Sequence, residues 1–154
     1  MPPHIDILAV GSLSDDLRHA FEHYRRLLSS VVHLSVRSVR EVSLKGRSEA
    51  EVLREEGRRL LAAWPRTGVV VALDQDGQVL SSPAFAAAVQ QWLEQGPLTF
   101  VIGGTLGLSD EVKARAQERL SLSALTLPHQ LARLVLVEQI FRAVKIARGE
   151  TYHR

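Results

Sequence analysis

Three stretches of this 154-residue chain hold residue types from which a site could be built. The first is Gly103-Gly104-Thr105-Leu106-Gly107, directly after an apolar run. Glycines let a backbone turn sharply and let a ligand lie close against it, as expected at Gly103. The pattern is neither a dinucleotide fingerprint nor a P-loop, because no Lys-Ser/Thr follows. The second is Ser121-Leu122-Ser123-Ala124-Leu125-Thr126-Leu127-Pro128-His129, which mixes small, apolar and hydroxyl side chains and holds no Lys, Arg, Asp or Glu. Such a loop suits a flat apolar heterocycle held by backbone N–H and C=O groups, such as adenine, and does not suit a phosphate. The third is Thr151-Tyr152-His153-Arg154, a stacking aromatic, a titratable imidazole and a fixed cation in succession, the groups that grip a nucleotide.

Other candidates lead less far. Glu138 and Arg142 stand four residues apart among Leu134–Val137 and Ile140-Phe141. Charges on so apolar a helix must be paired, so this is either a structural ion pair or an Arg142 that faces a substrate cleft. Ser123 and His129 lack the nucleophile elbow of a hydrolase. The chain has no cysteine, which excludes disulfides and thiolate chemistry, and His4, His19, His23 and His33 have no metal-ligand spacing. No metal is expected.

The elements that must position these groups follow from periodicity. Strands are predicted at His4–Val10, Val31–Val39, Gly68–Leu73, Leu98–Ile102 and Leu120–Ser123, with Asp74–Gly77 as a turn. Helices are predicted from Ser14 or Asp15 to Leu28, from a Ser48/Glu51 capping box to Trp64, from Ser82 to Leu93, from Ser109, and from Pro128 to Arg148. Strict alternation of strand and helix means an α/β fold with a mostly parallel sheet and helices on both faces. Ligands in such sheets sit beyond the carboxyl ends of the strands. That selects the loops after Leu73, Ile102 and Ser123.

Length allows one domain, 1–154. Hydrophobic residues are 45% and charged residues 23%, the balance of a soluble protein, and no apolar run approaches a membrane span. The N-terminus has no signal-peptide pattern, so the cytoplasm is expected. Net charge is only +2, but it is unevenly spread. Residues 37–66 hold eight Lys/Arg against five acids, and residues 113–154 hold eight against three, whereas every charge in 67–112 is acidic. Two basic segments flanking an acidic one can hold a polyanion such as RNA.

Phe100-Val101-Ile102-Gly103-Gly104, Leu120-Ser121-Leu122-Ser123-Ala124-Leu125-Thr126-Leu127-Pro128-His129 and Tyr152-His153-Arg154 together resemble the ribosomal RNA large subunit methyltransferase H family of the SPOUT superfamily. The resemblance spans essentially the whole chain. It implies methyl transfer from S-adenosylmethionine to N3 of a pseudouridine in helix 69 of 23S rRNA, on the ribosome. It implies a C-terminal trefoil knot, which no general rule would produce. Cofactor positions carry over to Leu73, Gly103 and Leu122, Ser123, Ala124, Leu125, Thr126 and Leu127. Substrate and catalytic positions carry over to Arg142, Tyr152, His153 and Arg154. The family is a homodimer with the last helix in the interface, and one tail is expected to complete the partner's site. The chain departs from the family at Thr105-Leu106, where a Pro and an acidic residue are usual. The rival expectation is a non-catalytic, ribosome-binding dimer.

Overall fold

A computed structural model of the chain describes residues 2–153. Its elements are β1 (His4–Val10), α1 (Asp15–Leu28), β2 (His33–Val39), α2 (Glu49–Ala62), β3 (Val69–Val79), α3 (Ser82–Leu93), β4 (Leu98–Ile102), α4 (Asp110–Arg115), β5 (Glu118–Ser121) and α5 (His129–Ala147). All pairings between these strands are parallel, in the order β2-β1-β4-β3-β5. The central strands are apolar on both faces because both are covered. Ile5, Ile7, Val71, Phe100 and Ile102 point to the layer of α1, α3 and α5. Leu8, Val10, Val70, Ala72 and Val101 point to the layer of α2 and α4. Phe85, Trp92 and Phe100 form a mutually tilted aromatic cluster in the first layer. In the second, the Arg115 guanidinium lies 5.9 Å from the centroid of the Trp64 ring.

Helix starts follow the sequence signals. Ser48 and Glu51 form the expected reciprocal capping box. Ser81 caps α3 just ahead of the Ser82-Pro83 pair, and Ser109 caps α4. Several boundaries differ from expectation. β2 begins at His33, two residues late, and β5 runs from Glu118 to Ser121 rather than from Leu120 to Ser123. The expected turn at Asp74–Gly77 does not end β3. It is a break in register inside the strand, since Leu73 and Gln78 both align with Leu120. The Asp74 side chain accepts the Asp76 N–H there, the local bonding that makes Asp a turn former. Pairing with β5 on either side of the break keeps the strand going.

The last helix is covered on one side only. Arg133, Leu136, Val137, Ile140, Phe141 and Ala143 are buried, but Leu131 is exposed and Leu134, Val135 and Glu138 are half-buried. Within one chain it is therefore not covered all round. Among the described residues no helix is long and apolar enough to cross a membrane.

Phe100 is fully buried at the centre of the aromatic cluster. Phe100→Ala is expected to lower the unfolding free energy by about 3–5 kcal/mol. Urea denaturation followed by circular dichroism checks this; a loss below about 1 kcal/mol would mean that the cluster collapses around the gap.

A candidate cofactor cavity and a separate basic cluster

The strand order places the carboxyl ends of β4, β3 and β5 side by side. The register break in β3 and the loops that leave β4 and β5 meet over one cavity of about 680 Å³, within the size range of cofactor sites. Leu73 contributes from β3, Gly103 from the loop after β4, and Leu122, Ser123, Leu125, Thr126 and Leu127 from the loop after β5. Ala124 belongs to that last loop but is exposed and does not line the cavity. The β5–α5 loop is held by its own hydroxyls: the Ser121 hydroxyl donates to the Ser123 carbonyl at 2.8 Å, and Ser123 Oγ accepts the Leu125 N–H at 2.9 Å. This bonding leaves Leu125 75% exposed at the rim, an apolar side chain with nothing of its own chain to cover it.

The lining contains no Lys or Arg. Its one carboxylate, Asp74, is buried and sits 3.5 Å from Lys113 and 3.9 Å from Arg119. The wall therefore offers backbone groups, aliphatic carbon and a few uncharged polar side chains such as Gln75 and Thr126 beside the His129 ring. That donor set fits an adenine and a sulfonium, and gives a phosphate no cation.

Gly103 is needed for a different reason from the one its position implies. A Cβ there would stand 2.3 Å from the Gly107 carbonyl oxygen. The missing side chain leaves room for the loop's own return, closed by the Gly104–Gly107 bridge, and not for a ligand. Substitution would deform the loop before it occupied the cavity. At the neighbouring glycine a Cβ would come within 3.3 Å of Glu56 Oε1, a buried carboxylate oxygen without a partner among the described residues.

His129, the last residue of the second stretch, lines the cavity together with Ala132 from the start of α5, a residue that the sequence did not mark. Arg133 holds this helix end in place. It is buried, and its Nη2 donates to the carbonyls of Gly11 at 2.9 Å and Val10 at 3.3 Å. Burial pulls its pKa below the ordinary arginine value. No short-range pattern marks an arginine that bonds carbonyls more than a hundred residues away.

Arg142, Tyr152 and His153 come together elsewhere. Glu138 Oε1 accepts from Arg142 Nη2 at 2.7 Å and from the Tyr152 hydroxyl at 3.2 Å. The Arg142 guanidinium lies 4.9 Å from the Tyr152 ring centroid, covering one ring face, and the Phe141 and Tyr152 rings meet at a steep angle. The hydrogen bond to Glu138 raises the pKa of Arg142. Burial and the Glu138 charge raise that of Tyr152, which stays a phenol. Arg142 Nη1 is 3.1 Å from His153 Nδ1. A guanidinium only donates, so Nδ1 accepts and the neutral ring carries its proton on Nε2. Arg154 lies outside the described residues. Glu138 and Arg142 thus form the structural pair that was one of the two expectations, and that pair also anchors the tail. From His129 to Arg142 the helix rises about 20 Å, so one chain does not bring this cluster to its own cavity.

The match to known proteins extends over nearly all of this architecture. The family model described as "Predicted SPOUT methyltransferase" matches residues 4–153. The chain is 43% identical to the ribosomal RNA large subunit methyltransferase H of Listeria monocytogenes serovar 1/2a, covering 98% of this chain and 99% of that one. It is 43% identical to the protein of the same name from Carboxydothermus hydrogenoformans, over 97% and 99%. The chain belongs to this family. The SPOUT architecture is also met in solved structures at low identity. The tRNA (m1G37) methyltransferase of Aquifex aeolicus aligns with a TM-score of 0.56 at 14% identity, covering 92% of this chain and 70% of that one. The SpoU methyltransferase AviRb of Streptomyces viridochromogenes, solved in complex with AdoMet, aligns with a TM-score of 0.51 at 17% identity, over 98% and 60%. Among the described residues no group of three or more His, Cys, Asp or Glu is placed to hold a metal.

Removing the Glu138 carboxylate should release the tail. Glu138→Ala is expected to speed carboxypeptidase trimming of residues 151–153 about tenfold, the worth of one charge-assisted hydrogen bond of roughly 1.5 kcal/mol. An unchanged trimming rate would mean that the tail is held by ring packing alone.

Proposed function

We propose that this chain is a ribosomal RNA methyltransferase that transfers a methyl group from S-adenosylmethionine to N3 of a pseudouridine in helix 69 of 23S rRNA, acting on ribosomes in the cytoplasm. The observation that carries the reading is the cavity, largely apolar and without Lys or Arg, that the register break of β3 and the loops after β4 and β5 enclose in a chain of this family. Leu73, Gly103 and the 122–127 loop would hold the cofactor, whose sulfonium supplies an electrophilic methyl carbon. The knot implied for the family would draw these three segments together; their convergence on one cavity is consistent with it.

The protein's part is to position the base and to stabilise charge. N3 of the base must lose a proton to act as a nucleophile, leaving negative charge on the ring. Arg142 carries a fixed positive charge to offset it, and Arg154 adds a second. With Arg142 donating to Nδ1, His153 has an N–H at Nε2 to offer a base carbonyl. That favours an orienting role for His153 over removal of the N3 proton. Tyr152, 39% exposed, supplies a ring on which a base can stack.

These groups lie about 20 Å along α5 from the cavity of their own chain, so they serve a cavity only across a subunit boundary. We therefore read the active form as a homodimer in which the tail of one subunit completes the site of the other. Leu131 and Leu125, both exposed near the start of α5, supply apolar surface for such a contact. Sedimentation at micromolar concentration is expected to give a dimer; a stable folded monomer that methylates ribosomes would overturn this arrangement.

Mass spectrometry of helix 69 from ribosomes with and without the protein tests the reaction. Deleting Tyr152–Arg154 is expected to abolish methylation while leaving the calorimetric affinity for S-adenosylmethionine near that of the intact chain. Loss of a single stacking contact, at about 1–3 kcal/mol, already means roughly a five- to 150-fold effect. A truncated protein working at the intact rate would remove the tail from the site. Absence of cofactor binding in the intact chain would instead favour a non-catalytic ribosome-binding dimer.

A further inference from the structure

The basic stretch 37–66 has no part in the site described above. The fold gathers much of its charge into one groove of about 550 Å³, lined by Arg47 from the β2–α2 loop and by Arg54, Arg58 and Arg59 from α2. The three helical arginines fall at spacings of four and one, so their side chains project from one side of the helix. Arg40 and Lys45, both exposed, flank them on the preceding loop. Two carboxylates share the groove, and both are engaged. Glu51 accepts the backbone N–H of Ser48 in the capping box. Glu55 bonds Arg58 at 2.6 Å and lies 3.4 Å from Arg59. Arg54 makes no hydrogen bond or ion pair among the described residues. The groove thus keeps a positive excess in a concave, solvent-facing form.

Its position adds a second argument. Val42 lines both this groove and a smaller cavity of about 250 Å³. Thr105 and Leu106 line that smaller cavity and also the candidate cofactor cavity. The groove is thus neighbour, through a smaller cavity that also holds Glu41 and Glu56, to the glycine loop that borders the candidate cofactor cavity. The groove lies on the α2/α4 layer, opposite α5, and a homodimer formed through α5 leaves it open.

We propose that the Arg47/Arg54/Arg58/Arg59 groove is the docking surface for the phosphate backbone of the substrate RNA, on the flank of the molecule that adjoins the glycine loop of the cofactor cavity. The proposal rests on the RNA methyltransferase reading and adds to it the surface that holds the RNA away from the reacting base. Guanidiniums bind phosphate oxygens in paired hydrogen bonds, and the gain falls with salt as counterions are released. Such contacts position a strand without reading its bases.

The test compares the intact chain with an Arg54→Gln/Arg58→Gln double variant and with an Arg25→Gln/Arg26→Gln control on α1, in the opposite layer. Each protein is measured for S-adenosylmethionine affinity, for ribosome methylation at several salt concentrations, and for binding to protein-free 23S rRNA. The double variant is expected to keep its cofactor affinity and kcat, to show a KM for ribosomes raised on the order of tenfold, and to lose about 2 from the slope of log affinity against log salt. The control is expected to match the intact chain. A double variant with unchanged KM and salt slope would overturn the proposal and leave the methyltransferase reading standing. A raised KM for ribosomes with unchanged binding to protein-free rRNA would mean a ribosomal-protein contact, and would also overturn it. If the intact chain methylates no ribosome, the reading itself fails, and binding to protein-free rRNA still decides whether the groove holds RNA.

Discussion

One buried cation fixes the arrangement on which everything else depends. Arg133 reaches from the second turn of α5 to the carbonyls of Val10 and Gly11, at the carboxyl end of β1. Burying a guanidinium is costly, and here charge-assisted bonds to two backbone oxygens offset it, while its Nε has no partner among the described residues. The bonds set where α5 begins relative to the sheet. Gln130, one turn earlier, adds a second tie by accepting the Ser14 N–H at 2.7 Å. From that origin the helix has two fixed ends. Its first turn walls the cavity with His129 and Ala132, and its third and fourth present Glu138 and Arg142 to the tail.

The architecture was largely legible in the sequence because its strands and caps are local. Val69–Leu73 is a continuous apolar run and Leu98–Ile102 is broken only by Thr99, short β-branched-rich segments of the kind that a strand covered on both faces requires. Ser48 and Glu51 announce a helix start by chemistry that acts over three residues. What was not legible depends on pairing. Nothing in Asp74-Gln75-Asp76-Gly77 distinguishes a turn that ends a strand from a break that the neighbouring β5 carries across. The same holds for the ends of β2 and β5, which are set by what lies beside them.

The cavity was legible as three loops, since strand ends in a parallel sheet are where ligands collect. The reasons behind single positions were less so. Gly103 reads as space for a ligand and is in fact space for the Gly107 carbonyl, a contact four residues away that only the closed loop reveals. Glu138 and Arg142 read as a helical pair, and they are one. Their use as an anchor for Tyr152 and His153 depends on how the chain folds back after Gly149, a reversal that spacing along α5 does not encode.

The two tryptophans fall in different layers. Trp92 is buried beside Phe85 and Phe100, shielded from water and distant from the basic groove. Trp64 is half-buried just past the end of α2, beneath the Arg115 guanidinium. The chain thus contains two intrinsic emitters in unlike surroundings: one reports on the integrity of the aromatic packing, and the other on the half-exposed surface beside Arg115.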